Sequence, residues 1–334
     1  MKKVIIFGLV LCFALGLRAQ DEDMMDGEEM ESPALSFSGS VDAYFRSTEE
    51  APGTSFADLN GFSLGMINLV GAYEGKKAGM VADMVFGPRG EDATFLSPEL
   101  RPGGSSNIVN QLYAYLNVSD NVTFTLGNFN TFLGYEVISP TANFNYSTSY
   151  MFSYGPFSHT GLKMDASFDG GFSLMLGVFN PTDATEFNPT NDYFGGAQLG
   201  YDFGSGSAYL NTLFGPDYFQ IDLTGGVDLT DALYLGINAT TASDDLFAGF
   251  AGYLQYATSD AFKIGVRAES FSDNGVGVIG TDESVFAFTI SANYTIDNLT
   301  IIPEFRIDNA SADVFDGGTS GSLSSFVLAA AYGF

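Results

Sequence analysis

The 334-residue chain has no tryptophan, one cysteine, one histidine, and only 12 lysines and arginines against 40 acids. So little basic charge removes nucleic-acid binding through a basic patch, because that mode neutralises phosphates with Lys and Arg. Cys12 lies in an N-terminal apolar stretch, so the rest of the chain can form no disulfide and offers no thiol nucleophile. Leu11 stands where lipidation of that cysteine would need a small residue. A lone histidine and no second cysteine leave no His/Cys metal set, so neither a metal site nor a cofactor is expected. Beyond the N-terminus no window holds roughly 18 consecutive apolar residues, which excludes a helical membrane protein. Hydrophobic residues still make up 46% of the chain, too many for an acidic disordered one.

The composition is rich in glycine and aromatics, with 40 Gly, 32 Phe and 17 Tyr. Lys2 and Lys3 precede an apolar run from Val4 to Leu17, followed by Arg18-Ala19-Gln20. That order predicts a secretory signal peptide over 1–19, cleaved after Ala19. Residues 20–33 contain the run DEDMMDGEEMES and read as a solvated acidic tail. Removal of the signal peptide takes Lys2, Lys3 and Arg18 with it and would leave the exported chain more acidic still.

From residue 34 to 334 the dominant signal is period-two alternation. Leu35, Phe37, Gly39, Val41, Ala43 and Phe45 share one face, and Ser36, Ser38, Ser40, Asp42, Tyr44 and Arg46 the other. The pattern recurs in 159–168, 219–228, 262–269 and 299–308. Tight turns near residues 74–77, 119–121, 169–171, 204–206, 230–231, 259–260 and 297–298 alternate with longer polar stretches at 47–60, 87–107, 130–157, 180–192, 271–284 and 309–322. Short turns on one side and long loops on the other describe an all-β transmembrane antiparallel up-and-down barrel of about 16 strands, with roughly 14 to 18 admissible. A soluble sandwich also alternates. Charges alone do not separate the two: Asp42, Arg46, Lys163, Asp165, Asp202, Asp222, Asp228, Lys263, Arg267, Glu269, Glu304, Arg306 and Asp308 all fall opposite the apolar face, as either fold requires. The polar faces are more telling, since Ser, Thr, Asn, Gly and Tyr suit a wet inner wall.

Phe326, Leu328, Ala330, Tyr332 and Phe334 alternate to the C-terminal residue. This resembles the terminal strand that the outer-membrane assembly machinery reads in bacterial barrels. With no tryptophan, Phe and Tyr must form the interfacial girdles.

Residues 127–161, GNFNTFLGYEVISPTANFNYSTSYMFSYGPFSHTG, resemble the signature of β-barrel porins of the OmpL-like type from Gram-negative bacteria. The matching features are Gly127, Phe129, Gly134, Glu136, Asn143, Ser147, Ser149 and Gly155-Pro156-Phe157 leading to Gly161, together with Gly87-Pro88 after Phe86. The resemblance implies a porin or channel in the outer membrane and names no solute. Segment 130–157 is long, aromatic and carries Glu136 as its single ionisable acid. A connection of that length is unusual unless functional. Either it folds inward, placing Glu136, Asn143, Asn145 and Tyr146 at a constriction, or it packs over the barrel mouth.

Enzyme readings are weaker. His159 has inward phase at the top of a strand and no serine specifically paired with it, so it reads as a satisfied polar side chain. Gly204-Ser205-Gly206-Ser207 is a hairpin turn rather than a phosphate cradle, and Asp244-Asp245 and Asp282-Glu283 read as solvated loop acids. No catalytic residue is assigned. The expectation is a passive diffusion channel for small hydrophilic solutes, lined by Asp42, Arg46, Asp83, Lys163, Asp165, Asp222, Lys263, Arg267, Glu269, Glu304, Arg306 and Asp308. The phase of Asp83 is open, because its strand is apolar on both faces. Acids outnumber bases among the strand charges, which predicts a modest cation preference. The alternative is a non-conducting structural or surface-interaction barrel plugged by 130–157. Expected partners are outer-membrane lipid, the assembly machinery and small solutes or ions, with a homotrimer by analogy to sixteen-strand porins.

Overall fold

Alternation makes each strand a two-faced ribbon, and a ribbon apolar on one face and polar on the other is stable in a membrane only when its edges are closed. The computed structural model describes residues 34–243, 246–277, 279–280 and 282–334. The expected signal peptide, its cleavage site, the acidic tail and the pair Asp244-Asp245 lie outside these residues.

Sixteen strands close into one barrel, each hydrogen-bonded antiparallel to its sequence neighbours and the last to the first. They are β1 (Ala34–Arg46), β2 (Gly61–Glu74), β3 (Ala78–Phe86), β4 (Val109–Ser119), β5 (Val122–Asn130), β6 (Ser158–Ser167), β7 (Phe172–Phe179) and β8 (Phe194–Asp202). The second half comprises β9 (Gly206–Gly215), β10 (Tyr218–Thr230), β11 (Leu233–Ala242), β12 (Phe247–Ser259), β13 (Phe262–Asp273), β14 (Glu283–Ile296), β15 (Leu299–Ala310) and β16 (Ser322–Gly333). The seam pairs Ser40–Arg46 with Gly333–Val327. Three short helices lie in the loops: α1 (Pro88–Ala93), α2 (Leu96–Leu100) and α3 (Tyr150–Tyr154). Among the described residues no helix is long and apolar enough to cross a membrane.

One end of the barrel carries the tight turns, and the other carries the long connections. The β9–β10 and β11–β12 links also lie at the long-loop end but are short, so length alone does not mark the side. Every charged strand residue has inward parity, Asp83 included. Most outward positions are apolar, and many of them are exposed. Near the short turns they include Tyr73, Tyr201, Tyr256, Tyr294 and Tyr332; near the long loops, Phe62, Phe86, Phe214, Phe250 and Phe326. Exposed Phe37, Phe168, Phe172 and Phe203 join the tyrosines near the short turns, so Phe and Tyr together take the place of tryptophan girdles. Phe326, Leu328, Tyr332 and Phe334 all face outward.

Two bulges re-aim inward carboxylates. The β1–β2 register shifts between Val41 and Ala43, leaving Gly65 and Met66 opposite Asp42. Met66 N then donates to Asp42 Oδ1 at 2.9 Å. A Cβ on Gly65 would overlap that carboxylate, so only glycine fits there. The β3–β4 register shifts beside Asp83, so the adjacent Asn110 and Gln111 both donate to its Oδ2, at 2.8 and 2.9 Å. Asn68 donates to the other oxygen. A bulge places two neighbouring side chains against one partner, which regular pairing does not.

Candidate functional site

The segment Thr131–Phe157 leaves β5, turns into the lumen and returns to β6. Its neck is closed by Thr131 N donating to Phe157 O at 2.9 Å. It bears a single charge, so burying it avoids most of the cost of desolvating ions. Its backbone polar groups must still find partners, and the inward face of the wall supplies them.

The partners are mostly charged. On β13, Arg267 pairs with Glu136 and donates to Ser147 O at 2.8 Å and Thr148 O at 3.2 Å. Glu136 in turn accepts from Ser149 N at 2.7 Å. Two residues along, Glu269 accepts from Tyr150 N at 3.0 Å and Met151 N at 2.8 Å, the first amides of α3. On β15, Glu304 accepts from Tyr146 N at 2.8 Å and Ser147 N at 3.1 Å. Arg306 is bidentate to Asp308, at 2.7–3.0 Å, and also donates to Thr148 O at 2.7 Å. Asn145 Nδ2 donates to Ser291 Oγ at 2.7 Å, and Tyr146 Oη to Asp42 Oδ2 at 2.5 Å. Carboxylates thus take the segment's amides and guanidinium groups its carbonyls. Charge-assisted bonds of this kind are the stronger class.

Of the constriction candidates, Glu136, Asn145 and Tyr146 reach the wall. Asn143 instead closes a local turn, accepting from Val137 N at 3.0 Å and donating to Val137 O at 2.5 Å. The twelve charges expected to line the pore split by position. Asp42, Arg46, Asp83, Asp222, Arg267, Glu269, Glu304, Arg306 and Asp308 are buried, most of them beneath the inserted segment or the loop 47–60. Lys163, Asp165 and Lys263 stand in the more open part of the lumen toward the short turns.

Apolar side chains close the remaining space. Ile138, Phe152 and Phe157 pack with Phe56, Met66 and Val85. Tyr146 packs with Tyr44, Ile302 and Val327; Tyr150 and Met151 with Tyr253, Phe271 and Val285; Leu133 with Phe129, Phe179 and Leu213. Tyr135 stacks on Tyr253 at 4.1 Å between ring centroids and lies over Gly236, where a Cβ would meet its ring. His159 is buried, its Nε2 2.9 Å from Thr131 Oγ1 and its ring 5.0 Å from those of Phe132 and Phe179. It helps to hold the neck.

Sequence reasoning missed two participants. Arg89 of α1 is buried, donates to Ile138 O at 2.8 Å, and lies 4.4 Å over the Phe56 ring. The sequence marks it only as a base directly after Gly87-Pro88, and Gly87 adopts φ 95° there. Asp183, in the 180–193 loop, accepts from Phe157 N at 2.8 Å and Ser158 N at 2.9 Å, clamping the neck from outside. Burial pushes its carboxyl up to about 6, against the opposing pull of those two amides. Nothing in the local sequence distinguishes it from other loop acids. Among the described residues there is no group of His, Cys, Asp and Glu suited to a metal ion.

The family model described as "Putative beta-barrel porin-2, OmpL-like" matches residues 34–334. None of the curated proteins compared matches the chain. Among solved structures, the fold is similar to the outer membrane channel DcaP of Acinetobacter baumannii, at 14% identity and a TM-score of 0.64, over 93% of this chain and 100% of that one. It is similar to Pseudomonas putida OprB at 12% identity and a TM-score of 0.62, over 91% and 94%. The trimer form of Vibrio cholerae OmpT aligns at 12% identity and a TM-score of 0.58, over 91% and 100%. At these identities the likeness is one of fold.

Proposed function

The chain belongs to the OmpL-like β-barrel porin family of the outer membrane, and on that premise we propose a passive diffusion channel for small hydrophilic solutes whose passage is narrowed by Thr131–Phe157. The supporting observation is the set of wall charges that hold the segment's backbone across the lumen. Acids exceed bases among the inward strand residues, which favours cations modestly. In planar bilayers the folded protein should give small unitary steps, and a salt gradient should give a reversal potential displaced toward the cation. A clear anion preference would overturn the cation part.

The second reading, a non-conducting structural barrel, has its own support: four apolar clusters tie the segment to the wall. Absence of any conductance from folded, inserted protein would establish it. Because OmpT has a trimer form, we extend a trimer to this chain as a proposal, tested by cross-linking in native membranes. Alternating outward residues on β16 are proposed as the assembly signal, tested by insertion yield after Phe334→Ala.

A further inference from the structure

The seam that closes the barrel ends in a cleft on the long-loop side. β1 and β16 stay together up to Ser47, whose N donates to Phe326 O at 3.0 Å and whose Oγ accepts from Phe326 N at 3.0 Å. Past Ser47 the chain turns away from β16, and a cleft of about 470 Å³ opens between Thr48–Glu50 and Phe315–Ser324. Small-molecule pockets have this size. Both lips are fixed. Arg46 donates to Thr48 O at 3.4 Å and to Glu50 O, and the Glu50 carboxylate accepts from Asp316 N across the cleft. The turn Asp316–Gly318 has positive φ throughout, and Phe315 O closes it by accepting from Gly318, Thr319 and Ser320 N at 2.9–3.1 Å.

The seam also leaves polar groups without a strand to pair with. On β16 the even-numbered residues turn their backbone N–H and C=O toward β1, as the bonds of Phe326 to Ser47 and of Phe334 to Gly39 show. Ser324 is the next even residue, and β1 no longer lies opposite, so its N–H and C=O open into the cleft. Such an edge takes its partners from water or from a ligand. The hydroxyls of Ser322 and Ser324 and the exposed carboxylates of Glu49 and Asp316 stand beside it. Donors and acceptors thus alternate over a small area that carries acids and no free base. A sugar hydroxyl, which both donates and accepts, matches that lining; a phosphate would be repelled.

The position of the cleft selects the source of the sugar. Ser322 and Ser324 share the outward parity of Phe326 and Leu328, so its outer lip continues the lipid-facing surface. Next along that surface come Phe45 and Phe62, with ring centroids 5.0 Å apart and Phe62 91% exposed. Long loops of such barrels are extracellular, which puts this rim at the outer leaflet. We propose that the cleft seats the sugar headgroup of an outer-leaflet glycolipid, whose acyl chains lie on Phe45, Phe62 and Phe326. The seat is separate from the lumen and holds whether or not the barrel conducts.

Native mass spectrometry of the folded full-length protein in detergent, with added deep-rough lipopolysaccharide, provides the test. One bound molecule per chain is expected to survive EDTA. Ser324→Trp, which fills the cleft from an exposed position, should weaken binding several-fold, and so should Glu49→Gln, which removes an acceptor. Asp231→Asn, in a short turn at the opposite end, should leave it unchanged. Glu49→Gln decides the matter if Ser324→Trp does not fold. Unaltered binding in both cleft variants overturns the proposal. Loss of binding in EDTA would mean phosphates held through a divalent cation, and equal binding of phosphatidylglycerol would mean an unspecific lipid contact; either overturns it. Equal affinity for the free, delipidated core oligosaccharide overturns the assignment to a glycolipid.

Discussion

Two ion pairs in one lumen show how differently its halves are built. Toward the short turns, Lys163 and Asp165 meet at 2.9 Å with their side chains 24% and 42% exposed. Toward the long loops, Arg267 and Glu136 pair with exposures of 0% and 4%. Both sets of strand residues follow the same inward parity. The difference is the chain laid over them: Arg267 and its neighbours are covered by Thr131–Phe157, and Lys163 is not. A wall charge is therefore a solvated field source in one half and a bracket for a loop in the other. Exposed pairs contribute roughly 0–1 kcal/mol, whereas breaking one partner out of a buried pair costs about 3–5 kcal/mol.

Replacing residues 132–156 by a short glycine linker would erase the contrast and should have the largest effect. Single-channel conductance should rise many-fold, and Arg267 and Glu304 should become reactive to aqueous probes. Conductance that stays at the starting level would mean that the segment does not limit flow. Arg267→Met comes next. It strands Glu136 and two carbonyls, and should destabilise the seated segment by about 3–5 kcal/mol, read as earlier proteolysis within 131–157. Adding Glu136→Gln should recover part of that loss, since the coupled pair is not additive.

The clamp at Asp183 should respond to pH in a defined direction. Its folded pKa is raised to about 6, above the ordinary carboxylate value, so the stabilisation is complete at low pH and is lost as pH rises toward and through about 6. Exchange protection of the Phe157 and Ser158 amides, corrected for intrinsic rates, should fall between about pH 4 and 7. Asp183→Asn should flatten that profile, and protection that instead rises with pH would contradict the assignment. The smallest change is expected in the open half. Lys163→Met should alter stability by no more than about 1 kcal/mol, measured by urea unfolding, and leave proteolysis of the segment unaffected.

Much of the barrel was legible in local sequence. The phase of Leu35–Arg46, the turn at Asp297-Asn298 and the outward set Phe326–Phe334 all follow from neighbours two residues apart. Even so, Asp83 could not be phased, because Val81 and Val85 on its inward face are as apolar as Met80 and Met84 on the other. The site was legible only in its residue types. Asn143 and Asn145 look alike in sequence, yet one closes a local turn and the other reaches Ser291, 146 positions away.

By itself the sequence determined the class of fold and the inward or outward address of most strand residues, because strand periodicity is local and a charge on the lipid face is costly. Tertiary structure alone decided which inward charges hold a loop and which face the open lumen. Glu136 meets Arg267 across 131 residues and Tyr146 meets Glu304 across 158. No short-range pattern encodes such contacts. They arise when the barrel closes and one uncharged segment satisfies its backbone on the far wall.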